Sequence, residues 1–158
     1  MIDIRPANRR DVPLILRLVR ELAEFEREPD AVVATEDMLS DALFSDRPAA
    51  EAIIADSGGE PAGFALFFQN FSTWTGRPGL YLEDLYVTPA ARGAGVGTAL
   101  LRHLAHIAIE RGYGRFEWAV LDWNKPAIAF YRSMGAVGMD EWRIQRVSGE
   151  ALVWLAGG

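Results

Sequence analysis

The sequence predicts one α/β domain: a mixed twisted sheet of about seven strands flanked by about four helices. Three observations carry that prediction. Apolar residues change period along the chain, from helical spacing to short strand runs and back, in the order β-α-α-β-β-β-α-β-α-β-β. The 158 residues fit a single domain spanning 1–158, large enough to bury a core without staples. Hydrophobic residues make up 50% and charged residues 24%, a globular mix that excludes disorder. No internal repeat, linker or low-complexity segment interrupts it.

Ile2 and Ile4 before Pro6 open the chain as a short strand. Asn8 then offers a helix cap, with Asp11 near the positive end of the helix dipole. Leu14, Ile15, Leu18, Val19 and Leu22 recur at helical spacing, so an amphipathic helix runs to about Phe25. Thr35 caps a second helix carrying Met38, Leu39, Ala42 and Leu43, which ends before Pro48. Ala52–Ala55, the turn Ser57-Gly58-Gly59-Glu60 and Gly63–Phe68 read as a hairpin. Asn70 to Gly79 is expected to be a loop, punctuated by Gly76, Pro78 and Gly79. Leu80–Val87 is the strongest strand, ended by Thr88-Pro89. A glycine-rich turn leads to a helix with Leu100, Leu101, Leu104, Ala105 and Ala108 inward. Phe116–Val120 is the next strand, and a short helix follows Pro126 and stops at Gly135. Trp142–Val147, the turn Ser148-Gly149 and Ala151–Leu155 are expected to close the sheet as a second hairpin.

Composition excludes several chemistries. Cysteine is absent, which removes disulfides, thiolate zinc sites and Cys nucleophiles together. Imidazole comes only from His103 and His106, on the solvated face of the third helix, too little for a multi-His metal centre. The net charge of −6 argues against binding a phosphate backbone and favours a cationic partner. No apolar run approaches the ~18 residues of a membrane span, and the first residues have no signal-peptide apolar core. A cytoplasmic protein binding neither nucleic acid nor membrane is expected.

The turn Arg92-Gly93-Ala94-Gly95-Val96-Gly97 is the most informative local feature. Strand, alternate glycines, then helix is how backbone amides gather around a phosphate, with the helix dipole adding positive charge. A packing turn is the plain alternative. Two other glycine motifs fail: after Gly97 the chain has Thr98-Ala99, not the Lys-Ser/Thr of a P-loop, and a Rossmann fingerprint requires glycine where Thr98 stands. Glu83 and Asp84 interrupt the most apolar strand. Neighbours in a strand face opposite sides, so at least one carboxylate points toward protein. Buried carboxylates are often functional, though an exposed edge or a structural ion pair explains them equally. Asn124 alone is most simply a helix cap, and Tyr131 alone a core residue with a bonded hydroxyl. The acidic run Glu21, Glu24, Glu26, Glu28 and Asp30 is most simply a solvated helix end.

In combination and order these features resemble the GNAT superfamily of acyl-CoA N-acyltransferases. Arg92, Gly95 and Gly97 fit its Arg/Gln-x-x-Gly-x-Gly/Ala signature, followed one strand later by Asn124 and Phe130-Tyr131. Within it the chain resembles the diamine acetyltransferase (spermidine/spermine N-acetyltransferase) family. The matching stretches are Ile4-Arg5-Pro6-Ala7, Ile15-Leu16-Arg17-Leu18, Glu21-Leu22-Ala23, Tyr81-Leu82-Glu83-Asp84, Trp123-Asn124, Phe130-Tyr131, Gly135-Ala136 and Glu141-Trp142-Arg143, which together cover nearly the whole chain.

The resemblance implies the GNAT fold, acetyl-CoA as co-substrate without any metal, a small-molecule amine acceptor and a homodimer. It implies that the amides of Gly93, Ala94, Gly95, Val96, Gly97 and Thr98, with Arg92, hold the pyrophosphate. The backbone of Leu85, Tyr86 and Val87 would pair with the pantetheine arm, one amide polarising the thioester carbonyl. Asn124 and the start of its helix, Lys125, Pro126 and Ala127, match further cofactor contacts, as does Tyr131. Amine transfer poses two proton problems: the ammonium must lose one, and the departing thiolate must gain one. Glu83 matches the carboxylate that assists the first through water, and Tyr131 the phenol that solves the second. Acceptor matches fall on Phe25, Glu26, Glu83 and Asp84, acidic groups suited to a diamine or polyamine. Position 25 departs from the polyamine enzymes, which carry Tyr there. Relatives also acetylate thialysine-like amines. An amino-acid or antibiotic N-acetyltransferase is the alternative within the enzyme class, and a noncatalytic acyl-CoA-binding module the alternative outside it. Retention of both Glu83 and Tyr131 favours the enzyme.

Overall fold

The computed structural model describes residues 1–158. Its elements are β1 (Ile2–Pro6), α1 (Val12–Phe25), α2 (Glu36–Phe44), β2 (Glu51–Ser57), β3 (Glu60–Ser72), β4 (Arg77–Val87), α3 (Val96–Glu110), β5 (Phe116–Trp118), α4 (Lys125–Ser133) and α5 (Glu150–Leu155), with 3-10 turns before α1, before α2 and after β4. They divide into two compact parts, Met1–Ala119 and Val120–Gly158.

In the first part the sheet runs β1-β2-β3-β4-β5. The first four strands pair antiparallel and β5 joins β4 in parallel, because the α3 crossover returns the chain to the same end of the sheet. Local chemistry sets each boundary. Asn8 accepts from the Arg10 amide, and Asp11 accepts from the Asn8 amide at 2.8 Å, a reciprocal cap at the entrance to α1. Arg5 then holds Asp11 at 2.8 Å and Asp56 at 3.1 Å, fastening β1 to that turn and to β2. Thr35 caps α2 through the Met38 amide. Gly58 and Gly59 both have positive φ, the backbone of a two-residue hairpin turn between β2 and β3.

Residues alternate between two helical layers. Ala52, Ile54, Phe64 and Tyr86 form one core cluster with Ile15 and Leu18 of α1 and Leu43 of α2. On the opposite face Val96 of α3 approaches Gly63, and Gly97 approaches Val87. Leu100, Leu101, Leu104 and Ala108 are buried as the helical spacing expects.

Two expectations are corrected. The segment expected to loop from Asn70 to Gly79 is mostly strand: β3 reaches Ser72, β4 begins at Arg77, and Ser72 pairs with Arg77. Pro78 is a loop signal that this strand tolerates. It lies beyond the stretch of β4 that β5 covers, Leu80–Leu82, where a missing amide costs no ladder bond. The closing hairpin is absent, so the sheet has five strands, not seven. Trp142–Val147 forms no strand, and Glu150–Leu155 is the helix α5. Its residues are exposed throughout, so no buried face fixes a strand. Glu150, Ala151 and Leu152 are good helix formers, and the Leu152 amide closes locally on the Gly149 carbonyl at 3.1 Å.

Candidate active site

The site grows from the end of β4. The register of β4 on β3 slips at one place: Leu82 faces Phe67, Asp84 faces Leu66, and Glu83 between them has no partner. This is a β-bulge, which bends a strand and re-aims its side chains. Glu83 is exposed, while Asp84 is half-buried. Burial pushes the Asp84 carboxyl up to about 6, with the charges of Glu83 and then Glu26 adding to the shift. Glu26, just past the end of α1, is raised chiefly by burial and then by Glu83. Glu83 and Glu26 thus act on Asp84 as like charges, and Glu83 on Glu26, a repulsion that a bound cation would relieve.

Past the bulge β4 outruns its outer neighbour. β5 ends at Trp118 opposite Leu82, whereas β3 follows β4 to Val87. The Thr88 amide bonds to the Ala62 carbonyl at 2.9 Å, so by antiparallel alternation Tyr86 exchanges its backbone bonds with β3, and Leu85 and Val87 turn theirs to the outer edge. An extended ligand chain finds a strand edge there. Of the three residues expected to pair with one, Leu85 and Val87 turn backbone groups to that edge, whereas Tyr86 is bonded to β3 and its side chain is buried in the core cluster.

The glycine turn lies five residues beyond. Gly93 and Gly95 have φ of 81° and 87°, conformations costly for any residue with a Cβ, and a Cβ at either would meet nothing within 4 Å. Gly95 caps α3. Ala99 is the first amide bonded back, to the Gly95 carbonyl at 3.0 Å, which leaves those of Val96, Gly97 and Thr98 at the positive helix end. Open space above bare backbone, beside the unbonded amides of a helix N-terminus, suits a phosphate group.

Residues 16–136 match the Acetyltransferase (GNAT) family. The chain belongs to that family. Thialysine N-epsilon-acetyltransferase of Sus scrofa is 40% identical over 98% of this chain and 96% of its own length. Spermidine/spermine N(1)-acetyltransferase-like protein 1 of Homo sapiens is 38% identical over 98% of this chain, which spans 24% of that longer protein. Among solved structures, an integron cassette protein from V. cholerae superposes with a TM-score of 0.82 at 29% identity, covering 99% of this chain and 98% of that one. The protein is therefore a mixed α/β GNAT enzyme, an N-acetyltransferase acting on an amine, and its family uses acetyl-CoA as acetyl donor.

In this acetyltransferase the residues expected to act fall in both parts of the chain. The carboxylates, the open edge and the glycine turn belong to Met1–Ala119; Asn124, Lys125, Pro126, Ala127 and Tyr131 belong to Val120–Gly158. Asn124 performs the plain role that the sequence allows, accepting from the Ala127 amide at 3.3 Å to cap α4, with Pro126 in the first turn. Tyr131 is half-buried on α4, its ring 5.6 Å from that of Phe130.

One arrangement escapes the sequence reading. Arg92 donates from Nε to the Val87 carbonyl at 3.1 Å, and its guanidinium lies 5.5 Å from the ring centres of both Phe25 and Tyr86. Glu21, on α1, has a carboxylate oxygen buried without a hydrogen-bond partner. The signal for the first was the pair of aromatics, Phe25 and Tyr86, on elements that converge on the glycine turn. No sequence pattern marks Glu21 apart from its neighbours in the acidic run. No helix of this enzyme is long and apolar enough to cross a membrane.

Proposed function

We propose that the protein acetylates a primary amine of a small dicationic acceptor, a diamine, polyamine or thialysine-like amine, by direct attack on the thioester of acetyl-CoA. The observation that carries the acceptor class is the cluster of Glu26, Glu83 and Asp84 beside the unpaired end of β4, whose carboxyls are coupled as like charges. One ammonium is held by such a cluster while the other amine reacts.

When bound, the co-substrate supplies an activated acetyl group whose thioester carbon accepts the amine nitrogen. The amides of Gly93 to Thr98 fit its pyrophosphate, flanked by Arg92, whose Nε is bonded to the Val87 carbonyl; the edge groups of Leu85 and the Val87 amide fit the amides of its pantetheine arm. Asn124, Lys125, Pro126 and Ala127 add contacts at the start of α4. Glu83, set apart by the bulge, receives the proton that the ammonium must lose, through a water. As the N–C bond forms and the C–S bond breaks, Tyr131 donates its phenolic proton to the sulfur. Phe25 walls the acceptor. We read residues 1–158 as one transferase domain, a homodimer in the cytoplasm by resemblance to the diamine acetyltransferases; the acidic balance disfavours nucleic acid.

The test is thiol release from acetyl-CoA, followed with a chromogenic reagent, across putrescine, spermidine, spermine, thialysine and lysine. Release that depends on amine, with kcat/KM highest for a dication, supports the reading. Binding of acetyl-CoA with no amine-dependent release would assign a noncatalytic module instead.

A further inference from the structure

Arg92 opens the glycine turn, yet its side chain is directed away from it. Nε is bonded to the Val87 carbonyl, one of the groups on the open edge, and the guanidinium lies 5.5 Å from the centres of two rings, Phe25 at the end of α1 and Tyr86 on β4. Phe25 immediately precedes Glu26, and Tyr86 lies two residues past Asp84 on the same face of the sheet. One side chain therefore touches the segment bearing the acceptor carboxylates, the strand edge and the start of the phosphate turn. Glu21, one helical turn before Phe25 on the same face of α1, adds a buried carboxylate oxygen without a donor; it and Arg92 both act electrostatically on Tyr86. A cation is favoured at this place.

We propose that Arg92 is a positioning residue that couples the donor site to the acceptor site, fixing the glycine turn and the Phe25–Glu26 segment against each other so that each ligand binds better when the other site is in order. The inference rests on the acetyl-CoA reading above. Guanidinium is required: a planar fork can stack on two rings and still donate from Nε, whereas an ammonium can do only one of these. Coupling of this kind is reciprocal, so a change made at the acceptor wall must be read at the donor site.

The experiment is calorimetric titration with CoA of the unsubstituted protein, Phe25→Leu, Phe25→Tyr, Arg92→Lys and the Phe25→Leu/Arg92→Lys pair. Phe25 lies on the acceptor side, so a wall residue acting alone leaves CoA affinity untouched. The expected result is a Kd for CoA raised about two- to fivefold in Phe25→Leu, the range of an exposed cation–π contact. Phe25→Tyr keeps the ring and should keep the affinity, and the effect of Phe25→Leu should shrink in the Arg92→Lys background. A steady-state companion reads the reverse direction: at saturating acetyl-CoA, Arg92→Lys raises the KM for the amine by a larger factor than it changes kcat, as loss of binding shared by ground and transition states requires. An unchanged Kd in a Phe25→Leu protein with wild-type melting temperature, or the same rise in both backgrounds, overturns the coupling. Absence of CoA binding by the unsubstituted protein overturns the acetyl-CoA reading itself.

Discussion

The two parts of this chain are built differently. Every buried residue lies in Met1–Ala119, from Asp11 to Ala108, packed between the sheet and its helical layers. Val120–Gly158 has no buried residue, and Trp142, Ile144, Leu152 and Trp154 are all more than half exposed. The first part also brings its functional groups together: three coupled carboxylates, an unpaired strand edge and an open glycine turn. The second holds its proposed groups on one nine-residue helix, α4, and at its cap, Asn124. Packing fixes side-chain geometry where apolar faces meet; where they do not, local hydrogen bonds and helix propensity decide. The contrast says where substitutions are felt as stability and where as chemistry.

The sharpest way to break that division is Tyr131→Phe. It lies in the sparsely packed part, so melting temperature should hold, yet kcat should fall by about 10- to 10⁴-fold, the loss of a general acid. Wild-type kcat in a folded variant would reduce Tyr131 to packing. Stability comes next. Phe64 is fully buried in the first part, and Phe64→Ala should cost about 3–5 kcal/mol in denaturant titration; Leu152→Ala in α5 should change stability by less than about 0.5 kcal/mol. Equal costs would mean that the tail is packed after all. Gly95→Asp places a side chain and a negative charge where Gly95 leaves open space, and CoA affinity by calorimetry should fall at least about tenfold, or 1.4 kcal/mol. The smallest effect is the most conditional. Glu83→Gln should lower kcat/KM for a protonated amine, with the deficit shrinking as pH rises and free amine accumulates. The same deficit at every pH would assign Glu83 to substrate binding alone.

Legibility does not follow that division. Helix α1, the cap at Asn8, the hairpin turn at Gly58-Gly59 and the inward face of α3 were readable because each residue type answers a local or burial constraint. The Glu83/Asp84 pair was readable as an anomaly, since carboxylates in an apolar strand require a reason. The bulge that separates them was not, because register depends on the partner strand. Trp142–Val147 misled: its alternation is a strand pattern, but alternation specifies a strand only when one face finds a core. Arg92 opens a glycine motif, and nothing in that motif says that its side chain turns to Phe25 and Tyr86. Tertiary contacts of long side chains leave no periodic trace.

The central claim is that paired carboxylates select a dicationic amine, and the most direct measurement compares two amines of equal chain length, putrescine and butylamine. Asp84 has its carboxyl pushed up to about 6, so it is largely neutral at pH 5 and ionised by pH 8, and only the ionised form attracts the distal ammonium. The ratio of kcat/KM for putrescine over butylamine, which cancels the shared deprotonation of the reacting amine, should exceed one and climb as pH rises through about 6. In Asp84→Asn the climb should disappear. A ratio near one at every pH, in an enzyme that acetylates both amines, would contradict the account.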